Sequence, residues 1–125
     1  MTDLGTLGGR SSSANDINES GQIVGWANTN GGASHAFIYS NGEMVDLNAL
    51  IDPTSGWTLH EAYAINNSGQ VVGAGANALG TTRAFLLTPV PEPTTLLIMG
   101  LGLVGLSLSR TLRGRPKYTY APRNP

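Results

Sequence analysis

A chain of 125 residues and 13.0 kDa has the size of one domain. Only 12% of its residues are charged and 17 are glycine, so it lacks the Glu, Lys and Arg of long surface helices, and turn-rich β structure is expected. The absence of cysteine excludes disulfides, thiolate zinc sites and a cysteine nucleophile, while a charge of −6 over the first 93 residues, against +5 over the last 32, argues against nucleic acid as a partner.

In chain order, strands are expected near 12–17, 22–27, 35–39 and 43–47, then near 59–65, 70–75 and 82–88. The segments Asn18-Glu19-Ser20-Gly21 and Asn66-Asn67-Ser68-Gly69 offer side-chain oxygens for local turns and a glycine for positive φ. Ser40-Asn41-Gly42-Glu43 carries the Asn-Gly pair of a type I′ hairpin. These elements repeat. A shift of 48 lays Ala14–Ser40 on Ala62–Thr88 without a gap, with 11 of 27 positions identical, and a shift of 43 lays Met1–Leu7 on Met44–Leu50. Four strands per unit of about 45 residues suit a propeller blade, with units of about 1–47 and 48–88 within a body of 1–88. Met1 stands where the repeat has an internal methionine, and Met1-Thr2-Asp3 has neither a charged n-region nor an apolar h-region, so the chain is expected to be a piece of a longer repeat protein.

Prolines 89, 91 and 93 mark residues 89–93 as an extended spacer. Thr94–Ser109 then contains no charge and is apolar on every face, about 24 Å as a helix, and with Thr111 and Leu112 it predicts one C-terminal transmembrane α-helix over 94–112. Arg110, Arg113, Arg115 and Lys117 form a basic membrane flank, which orients residues 113–125 as a cytoplasmic tail and the acidic body outward. The fold class expected from the sequence is thus an all-β body of about two units followed by one membrane helix.

The segments DLGTLGG, DINESGQIVGW, HAFIY and GEMVDL resemble the extracellular HAF repeat, with His35-Ala36-Phe37 as its namesake triplet and Arg83 in place of the second copy's histidine. VPEP, the apolar run and the Arg-containing end resemble the PEP-CTERM sorting signal. The resemblance implies export, recognition of Pro91-Glu92-Pro93 by a membrane exosortase with cleavage nearby, and delivery from the inner membrane to the surface or exopolysaccharide matrix of a Gram-negative bacterium. A noncatalytic surface protein is the expected function, and the alternative is a carbohydrate- or matrix-binding propeller-like module.

Other chemistry has a plainer explanation at each candidate position. Asp16-Ile17-Asn18-Glu19-Ser20-Gly21 matches the first half of a calcium loop, but its twelfth position is Ala27 and the repeat copy opens with Ala64, so a structural turn is preferred and no metal or cofactor is expected. His35 and His60 alone make a poor zinc site. Serines 11–13 lack nucleophile-elbow glycines, and nothing in the spacing of Asp16, Glu19, Asp46 and Glu61 selects a carboxylate pair. Trp26, Tyr39, Trp57 and Tyr63 could stack on sugars, although filling the sheet packing accounts for most of them.

Overall fold

The computed structural model describes residues 1–90 and 117–120. Eight strands form two four-stranded antiparallel sheets, each in sequential order. The first holds β1 (Gly8–Ile17), β2 (Ile23–Thr29), β3 (Ser34–Ser40) and β4 (Glu43–Asp46). The second holds β5 (Thr58–Ile65), β6 (Val71–Ala76), β7 (Thr82–Pro89) and β8 (Tyr118–Tyr120).

The turns follow from the residues that occupy them. Asn41 and Gly42 both take positive φ, 56° and 81°, as the type I′ hairpin between β3 and β4 requires. At the β1–β2 corner the Asn18 side-chain oxygen accepts the amides of Ser20 and Gln22, at 3.1 and 3.0 Å, while its backbone carbonyl accepts Gly21 N. Asn66 repeats the arrangement with Ser68, Gln70 and Gly69. Each asparagine thus satisfies amides that the strand ladder cannot reach. The second alignment also has a structural echo: Asp3 Oδ1 accepts Gly5 N at 2.9 Å, and Asp46 Oδ1 accepts Asn48 N at the same distance.

Each sheet carries a bulge at the same repeat position. Between β1 and β2 the register runs Ala14↔Gly25 and then Asp16↔Val24, leaving Asn15 extra. Between β5 and β6 it runs Ala62↔Gly73 and then Ala64↔Val72, leaving Tyr63 extra. Glycine is needed opposite because the first strand's backbone lies against it: a Cβ on Gly25 would collide with the Ser13 carbonyl, and one on Gly73 with the Glu61 carbonyl. A bulge re-aims its side chain. Asn15 accordingly reaches the second sheet, where it donates to Ala62 O at 2.7 Å and to Glu61 Oε2 at 2.9 Å.

The two sheets share one core. Val24, Ala36 and Ile38 of the first sheet cluster with Leu59, Ala62, Ile65, Val71, Phe85 and Leu87 of the second, joined by Leu47 and Ile51 from the connection and by Tyr118 from β8. Burial of a Val, Leu or Phe side chain contributes about 1.5–3 kcal/mol, so this shared cluster binds the units more strongly than any single polar contact across them. Polar groups then fix the register. Asp16 Oδ2 accepts Ile65 N at 2.8 Å, and Asn48 both donates to Leu59 O and accepts Leu59 N.

Seven strands lie close to their expected positions, and the C-terminal end departs from expectation. Among the described residues there is no α-helix and no helix long and apolar enough to cross a membrane. The predicted span 94–112 lies outside the described residues. Tyr118–Tyr120, expected within a cytoplasmic tail, instead forms the fourth strand of the second sheet, pairing Tyr118 with Pro89, Thr119 with Thr88 and Tyr120 with Leu87. Paired strands lie about 4.8 Å apart. Residues that ladder onto the body cannot also sit across a bilayer from it, so the expected fold class is corrected, among the described residues, to all-β with no membrane helix, and Tyr118–Tyr120 belong to the body rather than to a tail on the far side of a membrane.

Candidate sorting site

The proline-marked segment is anchored at both ends. β7 runs out to Pro89, and the next amide, Val90 N, donates to Lys117 O at 2.9 Å. The 26 residues from Pro91 to Pro116 therefore begin and end at neighbouring positions of one ladder. Pro89 packs near Gly69 in the Asn66 turn, and Thr88 Oγ1 accepts Gln70 Nε2 at 3.3 Å, so the outgoing strand is tied to the β5–β6 corner.

The incoming strand is held differently. Tyr118 is buried in the shared core, and its amide donates to Leu50 O at 3.1 Å, beyond the β7 ladder. Desolvation by burial raises its phenol pKa above the usual tyrosine value. Lys117, the one basic-flank residue within the described set, is exposed at the start of this strand. Pro91, Glu92, Pro93, Arg110, Arg113 and Arg115 lie outside the described residues.

The sequence signal for β8 is the alternation Tyr118-Thr119-Tyr120, three strand-favouring residues after a proline. Hydropathy hid it, because the basic cluster just before it reads as a membrane flank.

The remaining candidates have structural partners. Asp16 Oδ1 accepts Ile17 N, and its other oxygen holds Ile65 N, so the oxygens that a calcium loop would aim at a cation receive amide hydrogens. Among the described residues no group of three His, Asp or Glu could hold a metal ion. His35 Nδ1 meets Asp46 Oδ2 at 2.6 Å across β3 and β4, whereas His60 Nδ1 lies 3.2 Å from Ser34 O, so the two histidines serve separate contacts. Asp46 also caps the following turn through Asn48, and Glu61 accepts Asn15. Ser12 Oγ donates to Gly5 O at 2.6 Å. Trp26, Tyr39 and Trp57 are half-buried in the sheets and their connection, while Tyr63 is exposed on its bulge.

Comparison with known proteins bears on one segment. Residues 89–110 match the PEP-CTERM protein-sorting motif. No curated protein and no solved structure matches the chain. The matched stretch starts at the last residue of β7 and contains Pro91, Glu92 and Pro93, so the chain carries a PEP-CTERM sorting motif that begins at the end of an inner strand of its second sheet.

Proposed function

We propose that the chain is a noncatalytic surface or exopolysaccharide-matrix protein, exported and sorted by an exosortase that recognises Pro91-Glu92-Pro93. The observation that carries this reading is the sorting-motif match over 89–110. The triplet begins directly after Val90, whose amide is bonded to Lys117 O. A processing enzyme would thus meet its recognition triplet next to a residue that is hydrogen-bonded into a folded body. The body, with its HAF-like repeats stacked as propeller blades are, is the cargo. Its noncatalytic character is supported by the structural engagement of Asp16, Asp46 and Glu61, which leaves these carboxylates holding strands and turns together.

Replacing Pro91, Glu92 and Pro93 together by alanine tests this reading in an exosortase-producing host. The expected outcome is an uncut chain that stays with the cells while the parent chain reaches the surface in a shortened form. Equal processing and equal release of the two chains would contradict it.

A further inference from the structure

The repeat places the same residues in two different environments, and the difference marks two unpartnered faces. On the first sheet, the face toward the second unit is closed: Val24 is 0% exposed, Ala36 0% and Ile38 5%. The copies 48 residues on are Val72, Ala84 and Leu86. Val72 is 42% exposed, Ala84 is exposed and Leu86 is half-buried. At this spot lies a cleft of about 250 Å³ lined by Ala64, Ile65, Asn66, Gln70, Val72 and Leu86. Of their copies on the first unit, Val24 and Ile38 lie in the shared core and Asp16 and Asn18 bond across to Ile65 and Asn66, whereas Ile17 points away and is exposed.

The complementary face is exposed on the first unit. β5 delivers Ala62 and Ile65 into the shared core, 0% and 6% exposed. Their copies on β1 are Ala14, which is exposed, and Ile17, which is 60% exposed. Among the described residues the chain therefore holds an uncovered socket on unit two and an uncovered insert on unit one, and the unit interface inside the chain is the template for joining them.

Part of the polar register of that template is available as well. Asn18 Nδ2 donates to Gln22 Oε1 at 2.8 Å and to Asn66 O at 3.0 Å, which crosses between the units. Asn66 Nδ2 donates to Gln70 Oε1 at 2.9 Å, the first half of the same pattern. A primary amide has two donor hydrogens and a carbonyl two lone pairs, so Asn66 can make the second bond to an Asn18 carbonyl that already accepts Gly21 N. Glu19 N also donates across the units to Asn67 Oδ1 at 2.9 Å. In the next step along the repeat, Asn67 N would face a Glu19 side chain, which likewise offers an acceptor.

We infer that the chain associates head to tail with a second copy of itself, the Ala14–Ile17 face of one copy filling the Val72–Leu86 cleft of the next. The contact joins two different faces, so it is heterologous and builds a ring where the rotation closes or a filament where it does not. The changes from Asp16 to Ala64 and from Asn15 to Tyr63 remove bonds that the internal interface has, while Ala64 makes the cleft wall more apolar than its internal counterpart, which suits an aliphatic insert.

Sedimentation velocity of the full chain over a concentration series, with two carboxylate substitutions, tests the inference. Ile17→Asp disables the insert and Val72→Asp the cleft, both at exposed positions where the fold tolerates a charge. The parent chain is expected to sediment as dimers and larger species, and each variant alone as a monomer, with its dissociation constant raised at least about 30-fold. Mixing the two variants one to one is expected to restore a species that stops at the dimer, because one intact insert and one intact cleft remain. This rescue also shows that both variants are folded. A parent chain that stays monomeric, its cleft then being bare or covered by its own residues 94–109, would overturn the inference, as would association that survives both substitutions or a mixture that stays monomeric.

Discussion

Asn18 and Asn66 hold equivalent turns, yet only Asn18 is buried and only its side chain bridges to the other unit. Asn18→Ala is therefore expected to cost about 2–3 kcal/mol, since it strips acceptors from the amides of Ser20 and Gln22 and removes the bond to Asn66 O. Asn66→Ala removes the turn bonds at an exposed site and is expected to cost about 1 kcal/mol. Urea unfolding of both variants checks the difference, and equal losses would mean that the bridging bond contributes nothing. At this scale the turns were legible in the sequence, because asparagine, serine and glycine act on amides only a few residues away. The reach of Asn15 to Ala62 was not legible. It depends on a bulge, and a bulge depends on which backbone lies opposite Gly25.

Among the elements, β8 is the one that strand and membrane readings assign differently. A span of apolar residues followed by arginines satisfies the length and flank criteria for a membrane helix whatever the body does, whereas three residues of alternating aromatic and β-branched type say nothing until a sheet edge needs a partner. The repeat could have supplied that need. The first unit has a fourth strand at Glu43–Asp46 directly after β3, while the chain after β7 turns to proline, so the second unit's fourth strand had to come from elsewhere. The burial of Tyr118 makes β8 sensitive to pH in a defined direction. Its phenol pKa is raised in the folded chain, so the unfolded chain loses that proton first, and the contribution is fully present below about pH 10 and lost as the pH climbs through the folded value. Thermal melts from pH 8 to pH 11 are expected to fall more steeply for the parent chain than for Tyr118→Phe. Parallel curves would show that the phenol stays neutral or water-exposed at all of these values.

For the molecule as a whole, the covalent path and the folded contacts run in opposite directions. Val90 and Lys117 are hydrogen-bonded neighbours, yet in sequence all but the first two residues of the sorting motif lie between them. A cut anywhere in 91–116 would leave β8 without a covalent link on its N-terminal side, held by a ladder of three residues, the Val90–Lys117 and Tyr118–Leu50 backbone bonds and the core contact of Tyr118. Short strands held without a covalent link are weak, so processing is expected to release the tail and expose the β7 edge. The internal repeat made the all-β body legible, since identical residues at a spacing of 48 demand two copies of one unit. The partnering of distant segments was not legible, because spacing carries no information about which edge a tail will choose. The proposal that the segment after Val90 is processed as a sorting signal is tested by the intact mass of the chain recovered from the surface of cells that express it. The claim predicts a mass below 13.0 kDa and a C-terminus at or near Pro93, with Tyr118–Tyr120 absent. A surface form that retains the full 13.0 kDa and its C-terminal tyrosines would contradict it.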